Sequence, residues 1–313
     1  MSVILLGCFI QSYAQQEALY SQYMFNMMAI NPAYAGSSEV LSASALFRKQ
    51  WVGVKGAPLT QTITADMPYK EEKVGLGLQI YNDKYGLYSN TGIYATYAYK
   101  VKVTDETTLS MGITGGGTFF GVYLTESKLS TEYDEAFAQN RNGFLPNLGA
   151  GVYLSNEKGY LGFSSPMLLN NKYRTTLDTN RRSGQSRHYY FTSGYVFTLS
   201  ESLKLKPSLL LKGTVGAPVT LDANLNLWIN DILSVGTSWR TSNGAFRKSV
   251  YGNQFGDAVI AMVELQCNDQ IRVGYAHDFA INGLRNGQSG SHEIMLRYDM
   301  NFNKKRIISP RYF

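Results

Sequence analysis

Apolar and polar residues alternate with a period of two along most of this chain. Residues 219–229 show the pattern best. Val219, Leu221, Ala223, Leu225, Leu227 and Ile229 fall on one face, and Thr220, Asp222, Asn224, Asn226 and Trp228 on the other. Successive side chains of a strand point to opposite sides, so this period reads as β-structure. In 258–266, Val259, Ala261, Val263 and Leu265 oppose a face carrying Glu264 and Gln266. In 292–301, Ile294, Leu296, Tyr298 and Met300 oppose Glu293, Met295, Arg297 and Asp299. Charges at alternate positions are tolerated only where that face meets water or a polar interior. The criterion predicts fourteen strands, centred on Ala43, Ile63, Leu78, Ala95, Met111, Ala150, Gly162, Ser193, Leu209, Ala223, Val235, Ala261, Gly274 and Leu296. Most run to about ten residues, the length with which a tilted strand crosses a bilayer.

The connections sort by parity. Those after even-numbered strands are short: 104–107, 156–158, 200–202, 230–231 and 267–269. Those after odd-numbered strands are often long: 118–145, 167–186, 241–256 and 280–290. Outer-membrane barrels have short periplasmic turns and long outer loops, whereas a soluble sandwich has no reason to sort its loops in this way. The expected fold is all-β: a transmembrane antiparallel β-barrel of about fourteen strands over 39–303, with a periplasmic tail at 304–313. An even count returns both termini to the periplasm. No apolar run approaches the ~18 residues of a membrane helix.

Residues 1–14 read as a signal peptide, with Ser12-Tyr13-Ala14 suiting cleavage before Gln15. Leu6-Gly7-Cys8 offers a fainter lipoprotein-like alternative. With Cys8 removed, Cys267 is the one thiol left and cannot form an intramolecular disulfide. Residues 15–38 show no strand period and are too rich in Tyr20, Tyr23, Met24, Phe25, Met27 and Met28 for a solvated tail. The stretch is expected to plug the lumen or lie across the periplasmic mouth. Pro32 fixes its own φ and biases Asn31 toward extended geometry, which suits a defined turn inside a plug.

Composition agrees: 23 Tyr, 15 Phe and 30 Gly against 8 Pro suit strands with amphipathic rings at membrane–water boundaries. The net charge of +6 comes without a recognisable nucleic-acid module. Lipopolysaccharide headgroups, outer-membrane lipid or a protein partner fit it better. Lys172, Arg174, Arg181, Arg182 and Arg187 crowd one long loop against Asp178, as solvated surface or lipopolysaccharide contact. His277 precedes Asp278 and His292 precedes Glu293, but strand neighbours point apart and cannot form a base and its orienting partner. No nucleophile elbow or metal-ligand spacing appears, so neither an enzyme nor a cofactor or metal is expected. Parity gathers Asp222, Arg240, Glu264, Arg272, Asp278, Glu293 and Arg297 in the interior, with Glu264 pairing Arg272 across a short turn. Such a lining either fills the barrel as a salt network or grips a ligand.

Several strings carry a resemblance. QYMFN (22–26), NPAYAG (31–36), RKQWVGVKGAP (48–58), LKLKPSLLLK (203–212), GAPVTLD (216–222), DQIRVGYAHDF (269–279), GSHEIMLRYD (290–299) and SPRYF (309–313) follow in order. In these the chain resembles the PorP/SprF family of Bacteroidetes. The resemblance implies an outer-membrane protein of the type IX secretion system and gliding motility, with type IX components and a large secreted surface protein as partners. It supplies no catalytic residues. It makes the plug-like segment, with Tyr20, Tyr23, Phe25, Asn31, Pro32, Tyr34 and Gly36, a candidate contact site. A competing reading keeps the barrel: fourteen strands and Asn31-Pro32-Ala33 also resemble FadL-type channels for hydrophobic small molecules.

Overall fold

A computed structural model describes residues 20–70, 73–126, 139–172, 184–215, 217–242, 256–283 and 287–300. Fourteen strands form one antiparallel sheet that closes on itself. They are β1 (Leu41–Lys49), β2 (Leu59–Tyr69), β3 (Val74–Tyr85), β4 (Tyr88–Lys102), β5 (Thr108–Val122), β6 (Arg141–Ser155) and β7 (Gly159–Ser165). Then come β8 (His188–Tyr195), β9 (Leu203–Thr214), β10 (Thr220–Ile229), β11 (Leu233–Ser242), β12 (Ala258–Gln266), β13 (Ile271–Ala280) and β14 (Ser291–Met300). Each of the fourteen expected centres lies within its strand. After a break at Val196, β8 resumes as Phe197–Thr198. Closure is by β1 on β14, in register from Leu41 opposite Met300 to Lys49 opposite His292. On that seam Arg48 stands opposite Glu293.

The outward face is a continuous apolar wall. Ile63, Leu78, Ile93, Ile113, Leu148, Phe163, Val235, Val263, Leu296 and many like them are solvent-exposed. So much contiguous apolar surface has no place on a soluble monomer; on a closed barrel it is the lipid-facing band. The alternate positions turn inward and many are polar: Thr60, Thr62, Thr64 and Asp66 on β2, and Asp222, Asn224 and Asn226 on β10, are all buried. No described helix is long and apolar enough to cross a membrane.

The parity of the connections holds, with three adjustments, one being the five-residue link 215–219 after β9. β3 and β4 join tightly through Gly86, at φ +55°, although this turn follows an odd-numbered strand. β5 and β6 pair from Thr108–Ser155 out to Val122–Arg141, so the strands continue well into the expected 118–145 loop. The glycine-rich run 115–117 lies inside β5: a Cβ at Gly116 would strike the Ile93 carbonyl, and one at Gly117 the Phe144 ring. Glycine inside a strand marks such close approach. The expected signal peptide, the tail, residues 301–303 of the expected barrel, and Arg174, Asp178, Arg181 and Arg182 lie outside the described residues.

Candidate functional site

The chain's own N-terminal segment occupies the lumen, leaving beside it a cavity bounded by Met28, Ile30 and Pro32 and by the wall residues Tyr94, Tyr190 and Leu210. Residues 20–38 make three short 3-10 turns, Tyr23–Phe25, Met27–Ala29 and Pro32–Tyr34, and then enter β1. Tyr23, Met27 and Ala33 have no exposure at all. The segment packs with Tyr153, Tyr160, Tyr190, Trp228, Ile260 and Met295 of the wall in one hydrophobic core. Fully burying a Phe or Met side chain contributes roughly 1.5–3 kcal/mol, which accounts for the apolar composition of a stretch without strand period.

Each turn has a local cause. Asn31 is extended (φ −130°, ψ 110°), as a residue before proline should be. Its Oδ1 accepts from Ala33 N at 3.0 Å and its Nδ2 donates to the Val152 carbonyl at 2.9 Å, so one side chain caps the turn and fastens it to β6. Pro32 takes the first helical position, where no N–H is needed. Tyr34 meets Tyr153 edge to face, with centroids 5.6 Å apart. Gly36 has φ +69°, and a Cβ there would sit 2.8 Å from Gly75 Cα, so no other residue fits. Tyr20 shares a hydrogen bond with Thr62 (2.9 Å), the Tyr23 hydroxyl accepts from Asn224 (2.8 Å), and the Phe25 carbonyl accepts from Ser44 (3.5 Å).

Two groups of charges hold the segment, one near each end of the barrel. At the long-loop end, Glu293 Oε2 and Oε1 accept from the backbone N–H groups of Ser21 (2.8 Å) and Gln22 (2.7 Å). Ser21 Oγ donates to Asp278 at 2.7 Å and accepts from Arg48 at 2.7 Å. Arg48 pairs with Asp278 (2.6 Å) and Glu293 (3.1 Å), and Arg240 with Asp222 (2.8 Å) and Asp278 (3.1 Å). At the short-turn end, Gly36 N–H donates to Asp66 (2.7 Å), the Gly36 carbonyl accepts from Lys100, and Arg297 donates to Ser38 (2.8 Å) while pairing with Asp299 (3.0 Å). Charge-assisted bonds of this kind are short and strong, and they position what they hold.

The segment therefore runs from the long-loop end at Ser21 to the short-turn end at Ser38. Of the two expected placements, lumen or periplasmic mouth, the described residues take the lumen: Leu41 and Met300 lie together at the short-turn end, and the segment doubles back from there toward the long loops.

All seven lumen charges singled out from sequence are buried. Asp222, Arg240, Asp278 and Glu293 meet in the first group, and Arg297 belongs to the second. Glu264 and Arg272 pair at 2.9 Å, with the Arg272 guanidinium 5.2 Å above the Trp228 ring and the fully buried Lys206 nearby. Their contact is diagonal: Arg272 stands opposite Gln266, whose side chain it also meets at 2.6 Å, and Glu264 stands opposite Gly274. Sequence reasoning missed Arg48, Asp66 and Lys100. Arg48 continues the inward parity of Ser42, Ser44 and Leu46, which is the signal that finds it. It also missed a cradle of inward glycines. A methyl at Gly75 would overlap the Ala35 carbonyl, at Gly112 the Pro32–Ala33 peptide, at Gly151 the Asn31 amide, and at Gly274 the Gln22 amide.

His277 and His292 face outward, directly opposed across β13 and β14 with ring centroids 4.6 Å apart, and Asp278 and Glu293 face inward. Among the described residues no group of His, Cys, Asp or Glu is placed to hold a metal. Cys267 is an exposed free thiol in the short turn after β12.

A closed barrel with a lipid-facing wall and a lumen occupied by its own chain defines an outer-membrane protein. The chain belongs to the PorP/SprF family: the model of the type IX secretion system membrane protein PorP/SprF matches residues 12–298. No curated protein matches the sequence. Similar solved structures include the Acinetobacter baumannii outer membrane protein Omp33, at 10% identity and TM-score 0.46, covering 84% of this chain and 100% of that one. A Pseudomonas aeruginosa FadL homologue is 13% identical with TM-score 0.42, covering 84% and 89%. The KdgM porin is 8% identical with TM-score 0.39, covering 83% and 99%.

Proposed function

We propose that this barrel helps the type IX secretion and gliding machinery to export or surface-anchor one large surface protein, such as an adhesin, and that it acts as an adaptor, not a conduit. The observation that carries the reading is the occupied lumen. A segment buried along its length and fixed by carboxylates and guanidinium groups at both ends leaves the two mouths as contact surfaces, one toward periplasmic components and one toward the exported client. Tyr23, Phe25, Asn31, Pro32, Tyr34 and Gly36 are spent on the wall, so in this reading they support the adaptor from within and do not touch the partner.

Deletion of the gene tests this. One or a few large clients should be retained inside the cell while most other type IX substrates still reach the surface, read by quantitative proteomics of shaved cells. An unchanged surface proteome with lost growth on a hydrophobic nutrient would instead support a FadL-like channel.

A further inference from the structure

Where the outward wall approaches the long loops, one sector is set apart by basic residues. Among even-numbered strands the outward residue nearest that end is Leu59 on β2, Ser89 on β4, Asn142 on β6, Tyr189 on β8, Leu221 on β10 and Val259 on β12, but His292 on β14. The cross-strand register extends the exception. Lys84 on β3 stands opposite Leu59 on β2, Leu59 opposite Lys49 on β1, Lys49 opposite His292, and His292 opposite His277 on β13. All four polar residues point away from the lumen, since their strand neighbours Asp83, Arg48, Glu293 and Asp278 point into it. Both lysines are exposed. Gln61 and Asn82, paired with each other, widen the polar surface beside them.

One residue pair further toward the short turns, the same sector becomes Phe47, Ile294 and Tyr275, in register with one another. Among the described residues, the outward faces of these five strands carry no acidic side chain. The Tyr275 hydroxyl lies 2.6 Å from His292 Nδ1 and holds that ring in place, while among the described residues His277 Nδ1 has no hydrogen-bond partner.

We propose that this row is a binding site for the phosphate-bearing headgroup of an outer-leaflet lipid. Two ammonium groups and two imidazoles supply cationic and hydrogen-bonding contacts at the boundary of the apolar band, and Phe47, Ile294 and Tyr275 lie where the acyl chains of the same molecule would descend. An amphiphile with an anionic head matches both halves of the surface. A protein partner would need an acidic wall of its own at that depth in the membrane. Anionic lipid surfaces attract basic residues by the same electrostatics. The site lies on the outside of the barrel and does not depend on the adaptor reading.

The test uses the full-length protein in detergent, with diphosphorylated lipid A and its dephosphorylated form as probes, and native mass spectrometry as the readout. The wild-type protein should retain the phosphorylated lipid in roughly tenfold preference, as one to two basic contacts near an anionic headgroup imply. The double substitution Lys49→Gln/His292→Gln should bring the preference close to unity, and Lys49→Arg should keep it. If the double variant does not fold, Lys49→Gln alone and the wild-type preference between the two lipids still decide the matter. Equal retention of both lipids by the wild type, or an undiminished preference in Lys49→Gln, would overturn the proposal. Loss of a co-purifying membrane protein with lipid preference intact would assign the row to a protein contact and overturn it as well.

Discussion

The backbone N–H of Ser21 donates to Glu293 Oε2 at 2.8 Å across 272 positions of sequence. Glu293 also takes the N–H of Gln22 and pairs with Arg48, so one carboxylate serves both the lumenal segment and the wall. Glu293→Ala strips Arg48 of a buried partner and orphans two backbone donors. Removing one member of a buried ion pair costs about 3–5 kcal/mol. The expected outcome is a lower unfolding temperature together with faster proteolysis within residues 20–38. Arg48→Met combined with Glu293→Leu should recover part of the loss, which a thermal-shift comparison of the wild type, Glu293→Ala and the double variant checks.

The occupied lumen predicts electrical silence. The intact protein in planar bilayers should show little conductance, and a variant lacking residues 20–38 should show more. Steady porin-like currents from the intact protein would contradict the picture.

Glycines that face the segment should be less replaceable than glycines elsewhere. A side chain at Gly75 runs into the Ala35 carbonyl, whereas a Cβ at Gly213 finds its nearest neighbour, Val219, at 3.8 Å. Overpacking typically costs about 1–3 kcal/mol, so Gly75→Val should lower the melting temperature and loosen the segment. Gly213→Val should do neither, on the same proteolysis and melting assays.

Orientation is open to a direct check with native chemistry. Cys267 lies on a short turn, expected on the periplasmic side, and Lys55 is exposed in the 50–58 connection at the other end. A membrane-impermeant thiol reagent on intact cells should spare Cys267 and label Lys55→Cys in a Cys267→Ser background. Labelling of Cys267 in intact cells, with Lys55→Cys spared, would invert the barrel.

The strand count, the inward faces and the buried charges were legible because a membrane barrel writes its two faces into alternate residues. Asp222, Asp278, Glu293 and Arg297 needed nothing beyond parity. The partnership of Arg48 with Glu293 was not legible, because closure of the sheet pairs strands from the two ends of the chain, and no local pattern announces which residues meet there. The direction of the lumenal segment was hidden for a similar reason. Tyr20, Tyr23 and Phe25 announce burial, but which end each reaches depends on hydrogen bonds to distant strands. The glycine cradle leaves the weakest trace: Gly75, Gly112 and Gly151 look like ordinary strand interruptions until the atoms above them are known.

The seam between β1 and β14 has a consequence for biogenesis. Arg48 and Glu293 are the facing pair on the very strands that shut the barrel, and the segment they grip lies inside. Zipping the seam around an empty interior would bury a carboxylate whose acceptor sites are only partly filled, a costly intermediate. Seating the segment supplies the missing donors, so the lumenal segment and the closing seam stabilise one another through the same carboxylate.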